Sequence, residues 1–247
     1  MTQELEFLLD VSKQAAAMIT DDFVVRAKGD QGDLITNFDE EIEQFIIGKI
    51  KENYPAYDII SEEFNSDVKA TDNYFTIDPI DGTVNFAHGL PIWGIQIACV
   101  QNGKTVAAVI NMPKLNEIYY ADKNGAFKNG KPIKVNLLPI AKCLYAVEGV
   151  EKLPGIIQMQ KHVKGFRFVA CACADFAWVA SGVLGGGIFR HDTPWDYVPG
   201  LYIVEQAGGF VYSAPKTHIA ANSKEFLEII KKEAPHFDDK YYLKEAD

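Results

Sequence analysis

Apolar residues recur at helical spacing from the start of the chain. Leu5, Leu8, Leu9, Ser12, Ala15, Ala16 and Ile19 share one face of a helix predicted over Gln3 to Thr20. Phe23 to Ala27 reads as a strand, followed by the turn-rich Lys28-Gly29-Asp30-Gln31-Gly32-Asp33. Thr36 with Asp39 three residues on is a capping-box variant, opening a second helix that points Ile42, Phe45, Ile46 and Ile50 inward. Glu40, Glu41 and Glu43 read as its solvated face. Pro55 ends this helix, and Tyr57-Asp58-Ile59-Ile60 is a strand delivering Ser61-Glu62-Glu63. Asn65 to Asp72, short and polar, reads as a β-hairpin or lid.

The period then shortens. Tyr74-Phe75-Thr76-Ile77 reads as a short buried strand stopped by Pro79. Strands are predicted over Ile92 to Val100, Thr105 to Asn111 and Glu117 to Ala121, with turns at Asn102-Gly103, Lys123-Asn124-Gly125 and Asn129-Gly130. Strands joined this tightly pair antiparallel, so the first half is two helices on a largely antiparallel sheet. Beyond Pro139, apolar stretches alternate with helical candidates at 151 to 162, 173 to 184 and 195 to 207, which predicts a second, more parallel sheet. Trp195-Asp196 opens the last of these helices, with Val198, Leu201, Tyr202 and Glu205 as its face and Pro199 in its first turn. Gly185-Gly186-Gly187 has no Gly-Lys-Ser/Thr after it and reads as a tight turn, not a nucleotide loop. The fold class is α+β, with an N-terminal half over 1–140 and a C-terminal half over 141–247, and no linker or internal repeat marks the join.

Composition narrows the function. Of 247 residues 48% are hydrophobic, enough for a large core. Lys and Arg number 24 against 34 Asp and Glu, so the net charge of −10 offers no field for nucleic acid or an anionic membrane. The same charge argues against a nuclease or phosphodiesterase. An acidic protein can still bind phosphate when metal ions carry the local positive charge. Cys99, Cys143, Cys171 and Cys173 show no zinc-like pair of pairs and read as buried free thiols. Glu4, Glu6, Asp10 and Lys13 interrupt any opening signal peptide or membrane span, so the cytoplasm is the expected compartment.

One stretch concentrates the chemistry: Asp78-Pro79-Ile80-Asp81-Gly82-Thr83, followed by Val84-Asn85-Phe86. Pro79 presets its own φ and restricts Asp78, and Gly82 permits a turn closed to other residues, so the two carboxylates can converge at a strand end. Oxygen ligands on a short rigid turn suit Mg²⁺. The third position counted from Asp78 is Ile80 and the twelfth is Gly89, which excludes a calcium-binding EF-hand. Taken alone, Asp-Pro and Asp-Gly steps are also ordinary turn chemistry, Asp39 an ordinary helix cap, Glu62-Glu63 ordinary surface charge and Asp196 an ordinary N-cap.

The nonapeptide Asp78 to Phe86 resembles the signature of the inositol monophosphatase family, Mg²⁺-dependent and typically lithium-sensitive phosphatases related to fructose bisphosphatases and nucleotide bisphosphate phosphatases. A second stretch, Trp195 to Gly209, resembles that family's downstream signature. The resemblance implies alternating αβαβα layers, a homodimer, and two or three Mg²⁺ ions acting on a small phosphate monoester. It implies metal ligands in Glu62, Asp78, the Ile80 carbonyl, Asp81 and Asp196, with Lys28 and Glu63 beside them. Glu62, Thr83 and Asp39 become the catalytic residues, Thr83 held by Asp39 to orient the attacking water. Gly82 and Thr83 amides, with Asp81 and Asp196, face the phosphate.

The chain departs from the family at the substrate edge. Where inositol monophosphatases place a Glu for inositol hydroxyls stands Phe189, followed by Arg190 and His191. Arg190 could pair with a second phosphate or sit within the fold. Ala170-Cys171-Ala172-Cys173-Ala174-Asp175 replaces a Gly-Thr-Ala-Ala-type edge, which makes Cys171 and Asp175 candidate substrate contacts. His162, His191 and His218 read as surface or substrate-edge residues. An inositol-phosphate-like or sugar-phosphate monoesterase is the leading reading; fructose-1,6-bisphosphatase, nucleotide bisphosphate phosphatase and a catalytically silent sugar-phosphate sensor are the alternatives.

Overall fold

The computed structural model describes residues 1–28, 33–148 and 158–233. The first helix, α1 (Gln3–Met18), is capped by Thr2, whose side chain accepts from the Leu5 N–H. A two-stranded ribbon of β1 (Val25–Lys28) and β2 (Asp33–Thr36) leads into α2 (Asn37–Asn53), whose capping box joins Thr36 and Asp39. Along α1 and α2 the buried positions Leu5, Leu8, Ile42, Ile46 and Ile50 repeat every three or four residues and cover one face of the first sheet. Glu43 lies on that same buried face, against the expectation that it is solvated.

The first sheet runs in spatial order β3 (Asp58–Ser61), β4 (Tyr74–Asp81), β5 (Gly94–Gln101), β6 (Lys104–Met112), β7 (Glu117–Asp122), β8 (Gly125–Lys128), β9 (Lys131–Pro132). Among the described residues of this sheet only β3 and β4 pair in parallel. The turn between β5 and β6 places Asn102 at φ 50° and Gly103 at φ 70°, the left-handed pair that matches strand twist in a tight hairpin. Along β5, Ile95, Ile97 and Cys99 face α1 and α2, and Ala98 faces the opposite layer.

Two expectations fail here. Pro79 does not stop β4, which continues to Asp81; the register with β5 shifts between Asp78 and Asp81, and a bulge is where a strand tolerates proline. Residues 65–72 form turns and coil with no strand, so they are not a hairpin.

The second sheet is mixed, in order β11 (Gly165–Arg167), β10 (Leu144–Glu148), β12 (Gly186–Phe189), β14 (Thr217–Ala221), β13 (Phe210–Ala214), with two parallel and two antiparallel pairings. Between the sheets lie α4 (Ala172–Ala180) and α5 (Pro194–Gln206), and α6 (Lys224–Glu233) covers the outer face through Phe226 and Ile230. The layers alternate αβαβα. The helix expected over 151–162 falls mostly outside the described residues. Gly186 and Gly187 are strand residues in the middle of this sheet, not a turn. Helix α5 begins at Pro194, so Pro199 is its sixth residue and leaves the Trp195 carbonyl without the usual N–H. The buried face of α5 is Trp195, Tyr202, Ile203 and Val204; Glu205 is exposed, against the expected face. No helix among the described residues is long and apolar enough to cross a membrane.

Candidate active site

The site forms where the ends of β3 and β4 and the first turns of four helices meet. After the bulge, Gly82 takes φ 86°, a left-handed conformation costly for a residue with a Cβ, and reverses the chain into the short helix α3 (Thr83–Ala87). This leaves Asp78 and Asp81 nearly inaccessible, at 1% and 8% exposure.

Asp81 is held firmly. Its Oδ1 accepts from the Ala172 N–H at 3.3 Å, and its Oδ2 accepts from the Cys173 N–H and from Gln96 Nε2 at 3.2 Å. It therefore caps α4 from a neighbouring strand, using the orphan amides of a helix start. Gln96 Nε2 also reaches Asp78 Oδ2 at 3.4 Å, while Asp78 Oδ1 is buried with no hydrogen-bond partner among the described residues. A lone buried carboxylate oxygen is expensive unless something positive meets it. Burial raises the Asp78 pKa well above the usual carboxylate range, and the charges of Glu62, Asp81 and Asp196 push it further. Four carboxylates, from the turn after β3, from β4 and from α5, thus repel one another in one place.

Glu62 and Glu63 share the Lys28 ammonium, at 2.8 and 2.6 Å. Burial pushes the Glu62 pKa up to about 7; Lys28 opposes the shift, and Glu63 and Asp196 add to it. Burial works against the Lys28 charge, but the two glutamates more than offset it and its pKa rises. Glu43 underlies this pair. It accepts from Ser61 Oγ at 2.5 Å and from the Glu63 and Phe64 N–H groups at 2.8 Å, fixing the turn that presents Glu62.

Thr83 Oγ1 lies 2.8 Å from the Ile80 carbonyl and 3.2 Å from Asp39 Oδ1, so its single proton can turn to either acceptor. Asp39 also accepts from the Thr36 N–H at 2.7 Å, so one carboxylate closes the capping box and reaches the hydroxyl. Burial raises its pKa against the pull of the Thr36 and Thr83 bonds. Asp196 does not cap α5: Thr193 is the N-cap, and its hydroxyl bonds Asp196, which also meets His191 Nδ1 at 3.3 Å.

The expected substrate edge is rearranged. Phe189 is fully buried and stacked on Phe176 at 3.7 Å, so it selects nothing in a ligand. Cys171 and Asp175 have no exposed surface, and neither side chain can touch a substrate hydroxyl. Arg190 is half-buried just beyond β12. His218 is a core residue, stacked on Tyr197 and bonded to Ser213 Oγ and the His191 carbonyl, rather than an edge residue. A cleft of about 400 Å³ lies beside Asp196, lined by His191, Tyr197, Lys216 and His218 among others.

Two supporting residues escaped the sequence reading. Gln96 left a signal, a lone amide inside the apolar run Ile95 to Val100. Glu43 left one too, since it follows Ile42 and precedes Ile46 by one turn on the face that turns inward.

The inositol monophosphatase family profile matches residues 2–234. A fructose-1,6-bisphosphatase/inositol-1-monophosphatase of Thermotoga maritima is 34% identical over 199 residues, covering 79% of this chain and 77% of the relative. A histidinol-phosphatase of Chlorobaculum parvum is 32% identical over 222 residues, covering 85% of each chain. The solved structure of a Thermotoga maritima IMPase matches with a TM-score of 0.84 at 30% identity, over 94% of this chain and 97% of that one. Carboxylates gathered at a strand end, on a fold shared along nearly the whole chain, make this protein a phosphoric monoester hydrolase of the inositol monophosphatase family.

Proposed function

We propose that the chain hydrolyses a small polyol or sugar phosphate monoester with Mg²⁺ held by Glu62, Asp78, Asp81, Asp196 and the Ile80 carbonyl. The observation that carries this is the unpartnered, buried Asp78 Oδ1 among three other carboxylates that raise its pKa. Hard oxygen donors and surplus negative charge are what Mg²⁺ requires. When bound, Mg²⁺ supplies a more acidic water and charge neutralisation on the phosphate.

The chain's own residues supply position and proton handling. Thr83 Oγ1 accepts a hydrogen bond from the attacking water while giving its own proton toward Asp39. Asp39, with its raised pKa, is suited to take that proton. Gly82 and Thr83 amides at the start of α3 donate to phosphate oxygens. Lys28 pairs with both Glu62 and Glu63 and opposes the rise that burial gives the Glu62 pKa, which favours the carboxylate form that metal binding needs. Gln96 keeps Asp78 and Asp81 converged. The cleft beside Asp196, where Asp192 and Lys216 join Tyr197 and Pro215, is the place for the leaving alcohol.

The test is phosphate release from inositol monophosphates, fructose 1,6-bisphosphate, histidinol phosphate and a nucleotide bisphosphate, with Mg²⁺ and with chelator. Release confined to one or a few monoesters and abolished by chelator is the expected result. Turnover that survives chelation, or preference for the bisphosphates, overturns the assignment. Gel filtration of the same sample tests the homodimer the family resemblance implies.

A further inference from the structure

Behind the carboxylate cluster lies a second set of ligand atoms of a different kind. Cys171 is the N-cap of α4 and Cys173 sits in its first turn, and both are fully buried. Their Sγ atoms lie 3.5 Å apart, and Cys171 Sγ lies 3.6 Å from the Asp81 carbonyl. One ligand atom each from Asp81, Cys171 and Cys173 falls within 4.8 Å of the others. Asp78, with its unpartnered oxygen, is close enough for its charge to act on the Cys173 thiol.

We propose that Asp81, Cys171 and Cys173 form a site for a thiophilic divalent ion of the Zn²⁺ class, sharing Asp81 with the Mg²⁺ site so that the two ions exclude each other. Tetrahedral Zn²⁺ with arms of about 2.3 Å holds two sulfurs about 3.8 Å apart, so the pair must open by only about 0.3 Å. Each thiol gives its proton to solvent as its sulfur–metal bond forms, and nothing is oxidised or reduced. The fourth position falls to a water, since neither cysteine is open to substrate. Soft sulfur ligands discriminate against Mg²⁺ and hard carboxylates favour it, so one shared residue links two ions of opposite preference. Packing alone accounts for one buried thiol, but it does not require two thiols and a carboxylate to converge within 4.8 Å of one another.

The exclusion rests on the reading of Asp81 as a Mg²⁺ ligand; the soft site itself does not. The test is an anaerobic Co²⁺ titration of the chelator-treated full chain, followed by thiolate-to-metal charge-transfer absorbance, which reads binding whether or not any ester is hydrolysed. The expected result is a band saturating at one equivalent, lost in Cys171→Ala and in Cys173→Ala and kept in Cys99→Ala, with circular dichroism confirming that each variant folds. Millimolar Mg²⁺ should shift the Co²⁺ midpoint upward at least tenfold. Absence of the band, or its survival in both Cys171→Ala and Cys173→Ala, overturns the site. A band that depends on both cysteines but ignores Mg²⁺ overturns the shared ligand.

Discussion

Gln96 shows how a neutral residue serves a charged site. Its amide donates to both Asp78 and Asp81, so it holds two mutually repelling carboxylates at one spacing without adding charge. Gln96→Leu keeps the volume roughly constant and removes both donors. The Mg²⁺ concentration for half-maximal activity should rise about 10-fold to 100-fold, as when other groups that orient metal ligands are lost, while kcat at saturating Mg²⁺ changes far less. A Mg²⁺ titration of initial rates checks this, and an unchanged midpoint would remove Gln96 from the account. At this scale the sequence disclosed residues whose turn chemistry is local. Asp78, Asp81, Gly82 and Thr83 act through one short bulge and turn, and Asp39 through a cap. Glu43 and Gln96 act across 20 and 15 residues of chain, through a partner that only the fold brings near.

At the scale of elements, placement of the site depends on how closely α4 and α5 approach. Gly200 of α5 sits against Phe176 of α4, where an added Cβ would lie 2.3 Å from the ring. Phe176 cannot yield easily because it is stacked on Phe189 within the core. Gly200→Ala should therefore destabilise the protein by roughly 1–3 kcal/mol, seen as a lower melting temperature. It should also weaken activity, since Asp196 lies one turn before Gly200 and Asp81 caps the start of α4. A melting temperature unchanged by the methyl group would mean the helices are not in the contact described. Strands of the first sheet were legible because alternation and Asn-Gly turns mark them. Residues 65–72 and the Gly185–Gly187 run misled because polar and glycine-rich stretches suit turns, coil and tightly packed strands alike.

Over the whole molecule, stability and function pull in opposite directions. Glu62 and Asp78 have folded pKa values raised above those of free carboxylates. Their protonation stabilises the metal-free fold fully below about pH 4.5, and that stability is lost as pH rises through about 7, the value for Glu62. Binding of Mg²⁺ selects the ionised forms. The gain in melting temperature from Mg²⁺ over chelator should therefore grow from pH 5.5 to pH 8, and a gain independent of pH would contradict the carboxylate assignment. The αβαβα architecture could be read in the sequence because two motifs tie the chain to its family, and that resemblance names the carboxylates, Glu62, Asp78, Asp81 and Asp196, that we propose as metal ligands. The substrate edge could not, because whether Phe189, Cys171 and Asp175 face a ligand or the core depends on helix packing.

The most direct test replaces one carboxylate and reads two properties. In Asp78→Asn the buried repulsion is relieved, so the chelated variant should melt at or above the temperature of the chelated wild type. The same change should lower phosphate release in Mg²⁺ by two or more orders of magnitude, about 2.7 kcal/mol or more of transition-state stabilisation. Near wild-type turnover by a folded Asp78→Asn variant would contradict the account, because the site would then work without the carboxylate on which it converges.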